Sequence, residues 1–165
     1  MNPTEKIQFS TPVCEDSPAL YALIKRSPPL DLNSRYAYML VATHFAKTSV
    51  VAKVDGEVVG LVSAYVLPEK PDTLFVWQVA VDASMRGAGL AQRLVLHALK
   101  SMPSARFIET TITPSNVASQ KLFERLAASL ETSIESKPFL PHALFGEDAH
   151  EDEDLYVIGP IHTTK

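Results

Sequence analysis

An α/β fold is predicted for this chain of 165 residues, and three features predict it. Segments of strand and helix character alternate along the chain. An apolar strand, Trp77-Gln78-Val79-Ala80-Val81-Asp82, runs into the glycine-rich turn Arg86-Gly87-Ala88-Gly89-Leu90-Ala91 and then into a helical pattern. Asp55-Gly56 separates two further strands as a hairpin turn, because the turn that matches strand twist needs positive φ at those positions.

The elements follow in order. Ile7 to Phe9 reads as a first strand, and Asp16 or Ser17 can cap a helix with Leu20, Leu23 and Ile24 on one face. Ser27-Pro28-Pro29 stops it. After Leu30-Asp31-Leu32-Asn33, Ser34 can cap a second helix carrying Tyr38, Val41, Ala42 and Phe45 at helical spacing. Ser49 to Val54 and Glu57 to Tyr65 flank the hairpin turn, and Pro68 to Asp72 is expected as a loop. Thr73 to Val81 is apolar at odd and even positions alike, which predicts a central strand covered on both faces. The helix after the glycine turn carries Leu90, Leu94, Val95, Ala98 and Leu99 and ends before Pro103. Phe107 to Ile112 is the next strand. Thr113-Pro114-Ser115-Asn116 leads into a helix with Val117, Leu122, Phe123 and Leu126. Leu130 to Ile134 and Leu155 to Ile158 are the last strands, bracketing a long irregular segment. The order is β-α-α-β-β-β-α-β-α-β-β in a single domain spanning 1–165, without internal repeat or low-complexity linker.

Composition bounds the function classes. The chain is 46% hydrophobic and 21% charged, ordinary for a globular protein. No apolar run approaches the roughly 20 residues of a membrane span, and Met1 to Gln8 lacks the basic and apolar segments of a signal peptide, so no membrane association and a cytoplasmic location are expected. The one cysteine, Cys14, reads as a small apolar residue. A formal charge of −4 leaves no electrostatic footprint for nucleic acid and suits a small cationic substrate.

The glycine turn has the physical form of a phosphate cradle: exposed backbone N–H groups backed by a helix N-terminus. A dinucleotide fingerprint needs a third glycine where Gln92 stands, and no Gly-Lys-Ser or Gly-Lys-Thr of a P-loop occurs in the chain. Arginine followed by x-x-G-x-A after the strand Gln-Val-Ala-Val-Asp resembles the acyl-CoA pyrophosphate loop of the GNAT acyltransferase superfamily, and the order of elements is also that of the GNAT fold. The resemblance implies a mixed, mostly antiparallel sheet whose central parallel pair of strands splays apart, flanked by helices. It also implies acetyl-CoA as co-substrate, held by the backbones of Val79 and Val81, by Arg86, Gly87, Ala88, Gly89, Leu90 and Ala91, and by Asn116. The N–H of Val79 would polarise the thioester carbonyl, whose oxygen gains charge as an amine attacks. Asn116 also satisfies a plain helix-cap reading. Where many GNAT enzymes carry a tyrosine that protonates the leaving thiolate, this chain has Phe123, and no residue is assigned that role.

Four further segments, Leu30 to Tyr36, Asp72 to Gln78, Glu109 to Asn116 and His150 to Glu153, resemble the diaminobutyrate acetyltransferases of ectoine synthesis within that superfamily. That resemblance implies acetylation of the γ-amino group of a small diamino acid, and family membership suggests a homodimer. Such a substrate carries two ammonium groups and a carboxylate. Asp31 can pair with an ammonium group, Trp77 can wall the pocket, and Glu109 is a second anchor. Adjacent strand residues face opposite ways, so either Glu109 and Thr111 or Thr110 line the cleft. The amine must lose a proton. Tyr36, Tyr38 and His150 are candidate bases. Tyr38 falls on an apolar helix face, which leaves Tyr36 as the choice for catalysis alongside Val79. Six acidic residues surround His150 between Gly146 and Asp154, which favours its protonated form and a role in drawing in and ordering a dication. The spacing matches no dedicated metal site, so no metal is expected. Three alternatives remain: a GNAT enzyme for another small amine, a non-catalytic CoA-binding module, and protein acetylation, which the long segment Lys137 to Asp154 disfavours by crowding a peptide groove.

Overall fold

The structure, a computed structural model, describes residues 6–162. Met1 to Glu5, part of the segment read above for a leader, lies outside the described residues. Two compact units make up the chain: Met1–Val66 with Val76–Pro103, and Leu67–Phe75 with Ser104–Lys165.

The first unit holds β1 (Gln8–Ser10), α1 (Ser17–Lys25), α2 (Arg35–Val41), β2 (Val50–Val54), nearly all of β3 (Glu57–Leu67), the second half of β4 (Lys70–Val81) and α3 (Leu90–Lys100). Its strands lie in the order β1-β2-β3-β4, with β1–β2 and β2–β3 antiparallel. The hairpin forms as expected: Asp55 and Gly56 take φ of 50° and 85°, the positive values of the turn that follows strand twist. Leu20, Leu23 and Ile24 from α1 and Tyr38 and Val41 from α2 pack with Val51, Leu61 and Ala80 into one apolar cluster. Each fully buried aliphatic side chain there contributes about 1.5–3 kcal/mol relative to exposure. Helix α3 takes the other face of these strands, and Gly60 admits it: a Cβ at that position would sit 2.9 Å from Leu94 Cδ1 and 3.3 Å from Ala52 Cβ.

Caps explain the helix limits. Ser34 Oγ accepts from Ala37 N at 3.1 Å, so α2 begins where its cap was expected. It ends at Val41, and the chain turns before Phe45, which was expected on the same helix. Asp16 precedes α1, but its carboxylate accepts from Val13 N and pairs with Lys53 Nζ at 2.7 Å instead of capping α1. Cys14 is exposed rather than filling a core position.

The second unit holds the first half of β4, then β5 (Phe107–Ile112), α4 (Val117–Ser129), β6 (Ile134–Leu140) and β7 (Glu153–Ile158). Its strand order is β4-β5-β7-β6, parallel between β4 and β5 and antiparallel for β5–β7 and β6–β7. Arg106 N donates to the Asp72 carbonyl at 2.8 Å where the parallel pair starts. Leu122, Phe123, Leu126 and Ala127 form the buried face of α4. Taken together the strands form a mixed sheet with one parallel pair, the GNAT fold the sequence predicts.

Two boundaries differ most from expectation. Lys70 to Asp72 belongs to β4, leaving only Pro68 and Glu69 between β3 and β4, so the expected loop is a tight turn. The strand expected over Leu130 to Ile134 instead starts at Ile134 and runs to Leu140. Its Glu, Lys and Pro residues give no apolar alternation, but β6 is the last strand of the order, and an edge strand tolerates proline because one side of its backbone has no ladder partner. The irregular segment after it is correspondingly short, spanning residues 141–152.

Candidate functional site

In the first unit the glycine turn sits between the end of β4 and the N-terminus of α3. Arg86, Gly87, Ala88 and Gly89 are exposed, while Leu90 is buried and anchors the helix. Gly87 and Gly89 have φ of 84° and 67°, a conformation that glycine adopts without steric penalty. Gly89 is the N-cap residue, so no side chain caps the helix. The amides of the first turn have no carbonyl one turn earlier to donate to. A Cβ built on Gly87 or Gly89 would meet nothing within 4 Å. The turn is therefore an open ring of N–H donors on the positive end of a helix dipole, which fits a pyrophosphate.

Asp82 holds the entrance to this turn. Its carboxylate accepts from Ser84 N at 3.0 Å and Ser84 Oγ at 2.8 Å, and from Arg26 Nε and Nη2 at 3.0 and 2.8 Å. Its own N–H donates to the Val59 carbonyl at 2.8 Å. The Ser84 hydrogen bonds, followed by the Arg26 guanidinium, hold the Asp82 carboxyl down at about 2. The sequence pattern places Asp82 at a strand end but carries no sign of Arg26, 56 residues away.

Strand β4 alternates above this turn. Leu74, Val76, Gln78 and Ala80 are buried, whereas Trp77 is 38% exposed and Val79 and Val81 are half-buried on the other face. Trp77, for which core packing is the commoner role, is thus partly exposed. The loop Leu30–Asn33 is tied to the same strand: Gln78 Nε2 donates to the Asp31 carbonyl at 2.7 Å. Gln78 Oε1 accepts from Tyr38 Oη at 3.1 Å, and Tyr38 Oη accepts from Asn33 N at 3.3 Å. Burial pushes the Tyr38 hydroxyl pKa up, against the lowering effect of the Asn33 contact. Tyr38 is therefore core, as its helical face predicts. Tyr36, the second residue of α2, is exposed, beside Arg35, whose guanidinium lies 4.0 Å from the Tyr21 ring centroid.

The remaining predicted residues lie in the second unit. Glu109 is buried and its carboxylate accepts from Lys70 Nζ at 2.7 Å. The β5–β7 register puts Glu109 opposite Val157 and Thr110 opposite Tyr156, so Glu109 and Thr111 share one face and Thr110 points to the other. Glu109 lines a cavity of about 410 Å³ with Lys70, Asp72, Phe107, Glu135 and Val157. Asn116 Oδ1 accepts from Ser119 N at 3.2 Å, capping α4. Phe123 is buried within α4's apolar face.

The acidic segment is ordered by specific contacts. Glu151 accepts from Ser115 N at 3.1 Å and also from Ser115 Oγ. Asp152 accepts from His142 N at 2.7 Å and lies 2.9 Å from His142 Nδ1; these contacts, the backbone one first, lower its carboxyl pKa. The His150 ring stacks on Phe145 with centroids 3.8 Å apart. Its Nδ1 is 2.6 Å from the Glu151 carbonyl. A carbonyl only accepts, so Nδ1 carries the proton and Nε2 is the ring nitrogen that faces Glu153 at 3.8 Å. A run of acidic residues reads as solvated, so these contacts had no signal in the pattern.

Comparison with known proteins identifies the family. The Acetyltransferase (GNAT) family model matches residues 17–128. The L-2,4-diaminobutyric acid acetyltransferase of Marinococcus halophilus is 46% identical over 95% of this chain and 92% of its own length. The enzyme of the same name from Chromohalobacter salexigens is 47% identical over 91% of this chain and 79% of its length. Among solved structures, the diaminobutyrate acetyltransferase EctA of Paenibacillus lautus, in complex with L-2,4-diaminobutyric acid and coenzyme A, superposes with a TM-score of 0.91 at 38% identity, covering 96% of this chain and 98% of that one.

Proposed function

The chain belongs to the GNAT acetyltransferase family, and from that premise we propose that it transfers the acetyl group of acetyl-CoA to the γ-amino group of L-2,4-diaminobutyrate, as a step in ectoine synthesis. One observation carries this reading: a near end-to-end likeness, at 38% identity, to an enzyme solved with that diamino acid and coenzyme A.

The residues divide the work as follows. The N–H groups of Gly87, Ala88, Gly89, Leu90 and Ala91 receive the pyrophosphate of CoA, with Arg86 beside them as a cation. The backbones of Val79 and Val81 pair with the pantetheine arm, and Asn116 contacts it from the start of α4. The Val79 N–H donates to the thioester oxygen as charge develops there; a fixed donor in such a place is worth about 10²- to 10³-fold in rate. Asp31 pairs with an ammonium group of the acceptor and Trp77 walls the pocket. Glu109 and Thr111, which share one face of β5, and His150 are assigned to the acceptor as well, with Glu109 already neutralised in part by Lys70, whereas Thr110 faces the other way. Tyr36, exposed to water, relays the proton lost by the attacking amine. The thiolate leaves without a tyrosine, because the corresponding position is Phe123, and a thiol pKa of about 8.5 lets it leave near neutral pH. We place the enzyme in the cytoplasm as a homodimer. No helix of the described residues is long and apolar enough to cross a membrane.

The test is thiol release from acetyl-CoA with diaminobutyrate, ornithine, lysine, spermidine and a basic peptide, the product identified by mass spectrometry and NMR. Selective consumption of diaminobutyrate with the acetyl group on the γ-nitrogen is expected. Consumption of another amine in its place overturns the substrate assignment, and CoA binding without any turnover overturns the enzyme.

A further inference from the structure

Gln78 is the one polar side chain among the inward-facing residues of β4 from Leu74 to Ala80. A carboxamide buried among apolar groups costs stability unless its hydrogen bonds are made, and here they are. Nε2 reaches the Asp31 carbonyl, Oε1 holds the Tyr38 hydroxyl, and the backbone N–H donates to Ser63 Oγ at 3.1 Å. Packing alone does not call for this. A methionine of similar length would fill the volume without any polar group to satisfy. What an apolar residue lacks is the capacity to fix a loop. Through Gln78 and Tyr38, one acceptor and one donor of the loop backbone, Asp31 O and Asn33 N, are fastened to β4 two residues apart. Leu32 between them stays exposed.

The chain neighbours of Gln78 on the strand are Trp77 and Val79. A single carboxamide therefore sets how far the Asp31 backbone stands from the residue that walls the pocket and the N–H that faces the thioester. We propose that Gln78, with Tyr38 behind it, is a positioning residue that sets acceptor-length specificity, holding Asp31 at the reach of a four-carbon diamino acid. The proposal rests on Asp31 serving as the ammonium anchor. Loosening the clip lets the loop move outward and admits an acceptor one methylene longer. Discrimination by one methylene in a well-formed pocket is roughly ten- to two-hundred-fold, and that is the selectivity at stake.

The test compares wild type with Gln78→Met, which keeps length and loses both side-chain hydrogen bonds, and Tyr38→Phe, which keeps the core volume and loses the hydroxyl. Kinetics with diaminobutyrate and with ornithine are read beside the KM for acetyl-CoA, and hydrogen exchange is followed over Leu30 to Arg35. Gln78→Met is expected to raise the KM for diaminobutyrate about tenfold, to reduce the diaminobutyrate-to-ornithine ratio of kcat/KM at least fivefold, and to leave the KM for acetyl-CoA unchanged. Tyr38→Phe moves the same way by less. An unchanged ratio in a folded variant, or equal changes in both KM values, overturns the proposal. If Asp31→Asn leaves the acceptor KM unchanged, the anchor reading fails separately; exchange at Leu30 to Arg35 then decides the clip, supported by faster exchange in Gln78→Met and overturned by none.

Discussion

Gly89 offers a way to separate the stability of this fold from its grip on CoA. The residue lies in the left-handed region at φ 67° and its Cβ direction is open, with nothing within 4 Å. A Cβ at this position therefore brings no packing clash, only the penalty of placing an L-residue in that region, about 1–2 kcal/mol. For a chain of this length 1 kcal/mol moves Tm by about 2–4 °C, so both Gly89→Ala and Gly89→Trp should melt within about 8 °C of wild type. Binding should respond on another scale. The methyl of alanine intrudes on the ring of N–H donors and should weaken CoA about tenfold, whereas the indole fills the space in front of it and should weaken CoA more than a hundredfold. Differential scanning calorimetry and isothermal titration with CoA measure the two. Retained CoA affinity in Gly89→Trp would refute the cradle assignment, and a fall in Tm well beyond 8 °C would refute the claim that this position faces open space.

Asp31→Asn should raise the KM for diaminobutyrate at least tenfold and that for acetyl-CoA by less than twofold; equal changes in steady-state assays remove Asp31 from the acceptor pocket. The Asp82 carboxyl titrates near 2 in the fold against 3.8 for an ordinary aspartate, so folding favours its ionised form, and the stability it contributes is whole above about pH 4 and lost as pH falls through 2. Asp82→Asn, which keeps a cap acceptor and removes the negative charge facing Arg26, should lower stability by about 1 kcal/mol at pH 7. A Tm deficit that persists undiminished at pH 2 would exclude the charge as its origin. Gly60→Leu drives a branched side chain into Leu94 and Leu90 and should cost at least about 1–3 kcal/mol while weakening CoA through displacement of α3; an unchanged Tm would mean that α3 does not approach β3 so closely.

Much of the architecture was legible because it rests on local chemistry. Asp55-Gly56 announces its turn by the φ values it permits, Ser34 announces a helix start, and the spacing of Leu90, Leu94, Val95 and Ala98 announces a buried helix face. The limits of β6 were not legible, since Ile134-Glu135-Ser136-Lys137-Pro138-Phe139-Leu140 has the composition of a loop and becomes a strand only because β7 offers it a partner. The site divides the same way. The glycine turn is a contiguous motif and reads directly. Gln78 does not, because its partners lie 40 and 47 residues away in the sequence and a lone glutamine in an apolar run carries no sign of them. The acidic segment around His150 reads as solvated charge, and its contacts with Ser115, His142 and Phe145 leave no sign in the pattern.

The form of β6 bears on how copies of this chain can associate. An outermost strand with free N–H and C=O groups is a template on which another chain can extend the sheet. Here Pro138 has no N–H to give, the register with β7 shifts between Lys137 and Leu140, and Glu135 and Lys137 place charge along the exposed strand. Each of these features blunts edge-to-edge addition. The edge is therefore guarded against the open-ended stacking that leads to fibres when such a protein accumulates to high concentration.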